Sequence, residues 1–352
     1  MSVRIPITGI GVIAPGAIGI DAFRALMTSG RSAIEVVDRF DTDGLSAHKA
    51  ALVRDFKPRD YIAPMKMRRM NALSRLGVAA AKLAIEDCGA TLEADTGVAI
   101  GTAFGPVQTS VEYMQEYVEK GAALAPPQLF AESVANAPGS HIAIEWGLRG
   151  FNVTLTQRES SGLAAAMYAC TQIAKGSVRM ALIGGVEEAN EMLFRVLDRL
   201  GALDDEQRNG IVIGEGGAVL VAGGGMRKPY GTLSGFGIAR DTTASISDWG
   251  SDPQAILKAM RHAMKDAEID EVDAIYASAN GSRRGDAVER HALERFGKPV
   301  VPTKHIFGEY AAAGMLQLIA ALLAVEEGRF RNVLVNSVSA GGGIVCAIVS
   351  RF

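Results

Sequence analysis

The chain has 352 residues, 48% of them hydrophobic and 6% aromatic, with a formal net charge of −3. That length fills one large domain or two fused ones around an aliphatic, alanine-rich core. The near-neutral balance, without a long basic block, argues against nucleic acid or insertion into a membrane as the chain's business. Cys88, Cys170 and Cys346 lie in apolar stretches and read as buried free thiols in a reducing, cytoplasmic compartment, not as a disulfide frame. No signal-peptide pattern is visible at the start.

Strands and helices alternate along the chain. Arg4 to Ile13 reads as a strand and Ile20 to Ser29 as a short helix. Asn71 to Cys88 carries Leu73, Leu76, Ala80, Leu83 and Ala84 at helical spacing, stopped by Gly89. Gly97 to Gly101 is a buried strand and Thr109 to Lys120 an amphipathic helix. Gly121 to Phe130 is a proline-containing loop, followed by a helix from Ala135 to Gly147. Asn152 to Thr156 is a strand that turns sharply at Glu159 into a small-residue helix, Leu163 to Lys175. Arg179 to Gly184 and Gly217 to Val221 are strands.

The second half repeats the first. Gly231 to Ile238 echoes the first strand, Pro253 to Ala267 the helix at 71–88, and Ala274 to Ala277 the strand at 97–101. A helix from Tyr310 to Glu327, a glycine turn and the strand Asn332 to Asn336 echo the helix at 161–175 and the strand that follows it. Each half closes on an apolar strand, Ala218 to Ala222 and Ile344 to Val349. Duplication of this size predicts two similar α/β halves about a pseudo-two-fold, residues 1–224 and 225–352. The apolar run from Ala311 to Val325 carries Gln317 and is too short to span a membrane.

Five short motifs occur in order: Ile7-Thr8-Gly9-Ile10-Gly11, Arg68-Arg69-Met70-Asn71, Gly147-Leu148-Arg149-Gly150, Ile183-Gly184-Gly185-Val186-Glu187 and Arg208-Asn209-Gly210-Ile211-Val212-Ile213-Gly214-Glu215-Gly216. On these the chain resembles the elongating ketoacyl-ACP synthases, a branch of the thiolase-like condensing enzymes, over nearly its whole length. The resemblance implies a thiolase-like, five-layer α/β/α/β/α sandwich built from two duplicated halves.

It also implies chemistry for which the residues are missing. The family takes up its acyl chain on a cysteine at the tip of the turn after the 152–156 strand; this chain has Glu159 there. A carboxylate is a poor substitute for a thiolate as acyl acceptor. The first family histidine falls at Asn280 if the flanking Ala279 and Gly281 set the register, or at Ser278 if the segment is read without a gap. The second falls at Glu309, with His305 four positions earlier. The phenylalanine of the family's gating loop, between glycines near the C-terminus, falls at Ala340.

All these departures lie at chemical positions while the scaffold motifs remain. In this the chain is similar to chain-length factors, the cysteine-less partners of active synthases. The implied role is a condensation-deficient partner of a ketosynthase in fatty-acid, polyketide or aryl-polyene synthesis, in a heterodimer, working with acyl carrier protein. Two rivals stand beside it: altered acyl-transfer, hydrolase or decarboxylase chemistry using Glu159, and a homodimeric scaffold that binds acyl-ACP. The family dimerises through the strand Asn152, Val153, Thr154, Leu155 and Thr156. Phe104, Tyr113, Tyr117 and Phe130 come from the region that walls the acyl tunnel, although packing of one amphipathic helix explains Tyr113 and Tyr117 equally well.

Glu159 reads either as a base or as a carboxylate capping the following helix, paired with Arg158. If it shares a pocket with Glu309, the pair reads as a proton relay or, more often for such pairs, as separated by water or bridged by a cation such as Arg283 or Arg284. His141, His262 and His291 read as surface or structural residues. The acidic and histidine residues show no metal-ligand spacing. The glycine pairs at 184–185 and 214–217 do not open a helix after a first strand, so no cofactor is expected.

Overall fold

The computed structural model describes residues 4–205, 209–246 and 248–352. Arg208, in the last of the five motifs, lies outside the described residues. The N-terminal half contains strands β1 (Ile5–Ala14), β2 (Gly97–Gly101), β3 (Asn152–Leu155), β4 (Met180–Glu187) and β5 (Gly216–Gly223), with helices α1 (Ala72–Cys88) and α2 (Ser161–Ala174). The C-terminal half contains β6 (Gly231–Arg240), β7 (Ala274–Ala277), β8 (Val300–Pro302), β9 (Asn332–Val338) and β10 (Gly343–Ser350), with α3 (Pro253–Asp266) and α4 (Ala313–Glu326).

The strand orders are β1-β5-β4-β2-β3 and β6-β10-β9-β7-β8. Adding five to each label of the first gives the second. The pairing sense matches too: two antiparallel ladders, then two parallel ones, in each half. The two sheets join where β1 meets β6 antiparallel, at Ile5 with Leu233, Pro6 with Thr232 and Ile7 with Gly231.

Strand alternation sorts the core into layers. Val219, Val221, Leu182, Val98 and Ile100 face α1 on one outside, whereas Leu334, Cys346, Ile348 and Ile275 face α3 on the other. Leu220, Ala222, Ile183, Val335, Ala347 and Val349 face inward with α2 and α4. The result is a five-layer sandwich with α2 and α4 in the middle. A helix packed between two sheets must be apolar all round, and α4 is buried from Ala313 to Val325. The one polar residue of that buried stretch, Gln317, donates Nε2 to the carbonyls of Ala277 (2.7 Å) and Asn336 (3.3 Å). The middle helices approach closely at Gly162, where a Cβ would sit 2.7 Å from Met315 Cγ and 2.8 Å from the Ala311 carbonyl.

Several stretches differ from the sequence reading, among them the strand Val300–Pro302 and a helix at Arg283–Leu293, neither of which was expected. The expected loop up to Phe130 contains the start of a helix, Pro127–Glu132, with proline in its first turn, where the missing N–H costs nothing. A helix at Glu191–Arg199 was not expected; it buries Leu193, Phe194 and Leu197 in a satellite core with Leu203 and Ile211. Among the described residues no helix is long and apolar enough to cross a membrane.

Candidate functional site

The site lies where the N-terminus of α2 meets the ends of β7 and β9. β3 ends at Leu155 and the chain reverses through Arg158, a non-glycine residue at φ 54°. A single 3-10 turn, Arg158–Ser160, delivers Glu159 to the tip before α2 begins. The turn is tied down locally: Ser161 Oγ accepts from the Gln157 N–H (2.8 Å) and lies 2.6 Å from the Arg158 carbonyl. It is tied to the other half as well, because Ser160 Oγ donates to the Ser337 carbonyl at 3.1 Å.

Glu159 is 4% exposed. Its Oε2 accepts the Ala340 N–H at 3.0 Å, and its Oε1 lies 3.6 Å from Arg158 Nη2. The expected pairing with Arg158 is therefore present. The expected cap of the following helix is not: α2 has no side-chain cap bond, and the carboxylate is turned toward the glycine loop between β9 and β10. Arg158 in turn stacks over Phe104, 5.1 Å from the ring centroid.

The second cluster comes from the C-terminal half. Lys304 Nζ lies 2.6 Å from Glu309 Oε2, with the two side chains 0% and 1% exposed. Asn280 Nδ2 donates to the same oxygen at 2.7 Å. Lys304 also donates to Ser278 Oγ at 3.3 Å, and Ser278 Oγ accepts the Val338 N–H at 2.9 Å. The two alternatives for the first histidine position thus both belong to one network, Asn280 through Glu309 and Ser278 through Lys304.

Burial pushes the Glu309 carboxyl up to about 7, against the pull of Lys304, and the charge of Glu159 pushes the same way. Glu159 and Glu309 are therefore within electrostatic reach of each other. Glu309 Oε1 is buried without a partner, as is the Tyr310 hydroxyl beside it in sequence. The cation in this pocket is Lys304, not the expected Arg283 or Arg284, both of which are exposed. A lysine five residues before a glutamate, across one short helical turn, was the available signal. His305 is exposed; the Ser32 hydroxyl bonds its backbone carbonyl.

The aromatic candidates separate. Phe104 is half-buried beside the tip. Tyr113 packs on Phe130 (5.5 Å between centroids) and Tyr117 (6.3 Å) in a cluster at the surface, where Tyr117 is 42% and Phe130 57% exposed. β3 is the edge strand of its sheet, and Thr156 falls one residue past its end.

Sequence reasoning left several buried carboxylates unassigned, among them Glu289, Glu215 and Glu187. Glu289 Oε1 accepts the Ser278 N–H (2.8 Å) and Asn336 Nδ2 (3.0 Å), fixing the turn that carries the network. Glu215 accepts from Arg39 Nη1 and Nη2 at 2.8 and 2.7 Å. Glu187 accepts the Thr102 hydroxyl (3.0 Å) and the Ala103 N–H (2.6 Å), and burial raises its carboxyl to about 8. The thiols of Cys170 and Cys346 are pushed up by burial, the opposite of what a nucleophile needs. Among the described residues no three His, Cys, Asp or Glu side chains are grouped to hold a metal ion.

The duplicated sandwich, with a tight turn into a central helix facing the strand ends of the other half, defines a thiolase-like ketosynthase fold. The chain belongs to the beta-ketoacyl synthase family: residues 2–223 match the family's N-terminal domain and residues 230–335 its C-terminal domain. It is 28% identical to the 3-oxoacyl-[acyl-carrier-protein] synthase 2 of Vibrio harveyi, over 92% of this chain and 86% of that one. It is 29% identical to the actinorhodin polyketide putative beta-ketoacyl synthase 2 of Streptomyces coelicolor, over the same shares. Among solved structures it is similar to the ishigamide ketosynthase/chain length factor, with a TM-score of 0.90 at 26% identity over all of both chains.

Proposed function

We propose that this chain is a condensation-deficient ketosynthase homologue that serves as the chain-length-factor-like partner of an active ketosynthase, on acyl chains borne by acyl carrier protein. The observation that carries the reading is Glu159 at the elbow tip, 4% exposed and held by Ala340 and Arg158. A carboxylate is a weak nucleophile toward a thioester, and an acyl-glutamyl anhydride is a poor store of an acyl group. The histidine positions carry Asn280 or Ser278 and Glu309, which are occupied with Lys304. Relatives that act in fatty-acid and polyketide synthesis, and the likeness to a ketosynthase/chain length factor structure, supply the pathway class.

The reading is tested by intact-mass analysis and reconstitution. Incubation with acyl-ACP, and separately with a covalent ketosynthase inhibitor, leaves the mass of the chain unchanged. The cognate ketosynthase co-purifies with it and requires it for full-length product. A stoichiometric adduct at Glu159 would instead favour altered acyl chemistry, and product formation indifferent to this chain would favour the scaffold.

A further inference from the structure

Arg75 lies in the first turn of α1, and Glu188 follows β4 directly. Both line a cavity of about 460 Å³ that neither Glu159 nor the Lys304 cluster borders. Its walls are largely apolar, with Phe40, Val53, Phe56 and Leu76. Phe40 is held by Phe194, 5.4 Å between centroids, and Phe56 by Tyr61 at 5.8 Å. A concave, mostly apolar site with a few polar groups is the usual form of a small-molecule pocket.

The charged groups around this cavity differ in the bonds they have left to make. Glu215 accepts from Arg39 twice and from the N–H groups of Val53 (2.9 Å) and Ala189 (3.3 Å), so it and Arg39 satisfy each other. Glu191 is paired with Arg195 at 2.8 Å. Glu188 is 4% exposed. Its Oε1 accepts the Gln108 N–H (2.9 Å) and Asn190 Nδ2 (3.2 Å), whereas Oε2 accepts no hydrogen bond among the described residues. Burial pushes this carboxyl above its ordinary range against those two donors, and the charges of Glu215 and Glu112 push the same way. The Arg75 guanidinium makes one hydrogen bond, from Nη2 to the Met67 carbonyl at 3.3 Å, and its Nε is buried without a partner. No ion pair joins Arg75 to Glu188 or to any other described residue. Two opposite charges thus border one cavity without meeting, and each has a bond to give to a guest. We infer that the cavity is a binding site for a small zwitterion, an α-amino acid with an apolar side chain: its ammonium donates to Glu188 Oε2, its carboxylate accepts from Arg75, and its side chain packs on Phe40, Phe56 and Leu76. A guest with only an amine leaves Arg75 unmatched, and one with only a carboxylate leaves Glu188 unmatched.

Ligand-observed NMR titration of the full chain tests it, with L-leucine and L-phenylalanine as probes. At least one of them saturates a single site below about 10 mM. Blocking either end of that amino acid, as its N-acetyl derivative or its methyl ester, weakens binding at least about tenfold. Glu188→Gln keeps an oxygen for Gln108 and Asn190; it costs the free amino acid at least about tenfold and leaves the N-acetyl derivative unchanged. Arg75→Met costs the free amino acid as much and leaves the methyl ester unchanged. Should either variant fail to fold, the ranking of free and blocked ligands on the wild-type chain decides. The site is overturned if neither amino acid saturates the chain, if the blocked ligands bind as well as the free one, or if both folded variants keep wild-type affinity.

Discussion

Glu159 Oε2 accepts the Ala340 N–H at 3.0 Å, so the tip of the elbow in one half grips the glycine loop of the other. The two residues are far apart in sequence, and the family resemblance places a cysteine at the position of one and a phenylalanine at the position of the other. Their contact makes the departures from the family interdependent. The donor is the backbone amide of residue 340, and the acceptor is the carboxylate at 159.

Removing Lys304 should be among the most damaging single changes in the chain. Its ammonium and the Glu309 carboxylate are both closed to solvent. Lys304→Ala leaves a buried carboxylate without its cation, which costs about 3–5 kcal/mol. The double variant Lys304→Met, Glu309→Leu removes both charges at similar volume and should cost clearly less than Lys304→Ala alone. Thermal or denaturant melting of the three proteins checks the order. A Lys304→Ala variant as stable as wild type would show that the pair is not structural.

Stability should fall as pH rises from about 5 to 8. Glu187 keeps its proton up to about 8 in the folded chain, but the unfolded chain releases it near the ordinary carboxylate value of 4.5. Between those values the folded state binds more protons, so raising pH favours unfolding, by up to about 1.4 kcal/mol per pH unit for one such group. Below the window and above it the contribution is flat. Glu309, raised to about 7, acts with the same sign. Glu187→Gln mimics the protonated form and should flatten part of the slope. Melting temperatures at intervals across this range decide it; parallel curves for the two proteins would remove Glu187 from the account.

Dimerisation should use the free edge of β3. Val153 and Leu155 are half-buried on an unpaired edge, which natural proteins rarely leave open. Tyr117 and Phe130 also present exposed apolar surface. An interface spanning both would fall in the obligate class, above roughly 2,000 Å². Light scattering at micromolar concentration should find a dimer, with itself or with a cognate synthase, and Val153→Lys should weaken it. A monomer under both conditions would defeat the claim.

The duplicated architecture was legible because buried strands and helices repeat the same apolar spacing in the same order, and periodicity survives where loops do not. The elbow was legible because a strand, a turn and a small-residue helix are adjacent in sequence. What stayed hidden depends on residues that meet only in three dimensions. The spacing of Lys304 five residues before Glu309 was the one signal of that pair, and it was weak beside two exposed arginines, Arg283 and Arg284, that looked equally able to bridge the carboxylates. The direction of the Glu159 side chain was hidden for the same reason. A carboxylate at a helix start ordinarily caps its own helix, and here a loop amide from residue 340 wins the bond instead.

Restoring the cysteine alone should not restore synthesis. Glu159→Cys places a thiol before the N-terminus of α2, where the helix dipole favours the thiolate. Slow acylation by acyl-ACP is therefore expected and visible by intact mass. Elongation needs more than a nucleophile. Decarboxylation of the malonyl extender builds negative charge on a thioester oxygen, and the positions that should stabilise it hold Asn280 or Ser278 and Glu309. Asn280 is engaged with Glu309 at 2.7 Å, and Lys304 is held by the same carboxylate at 2.6 Å. Each missing oxyanion donor typically costs on the order of 10²–10³ in rate. The variant should give acyl-enzyme but no detectable 3-ketoacyl product with malonyl-ACP. Robust elongation by this single mutant would show that Asn280, Lys304 or another group still supports decarboxylation, and that the site had lost only its nucleophile.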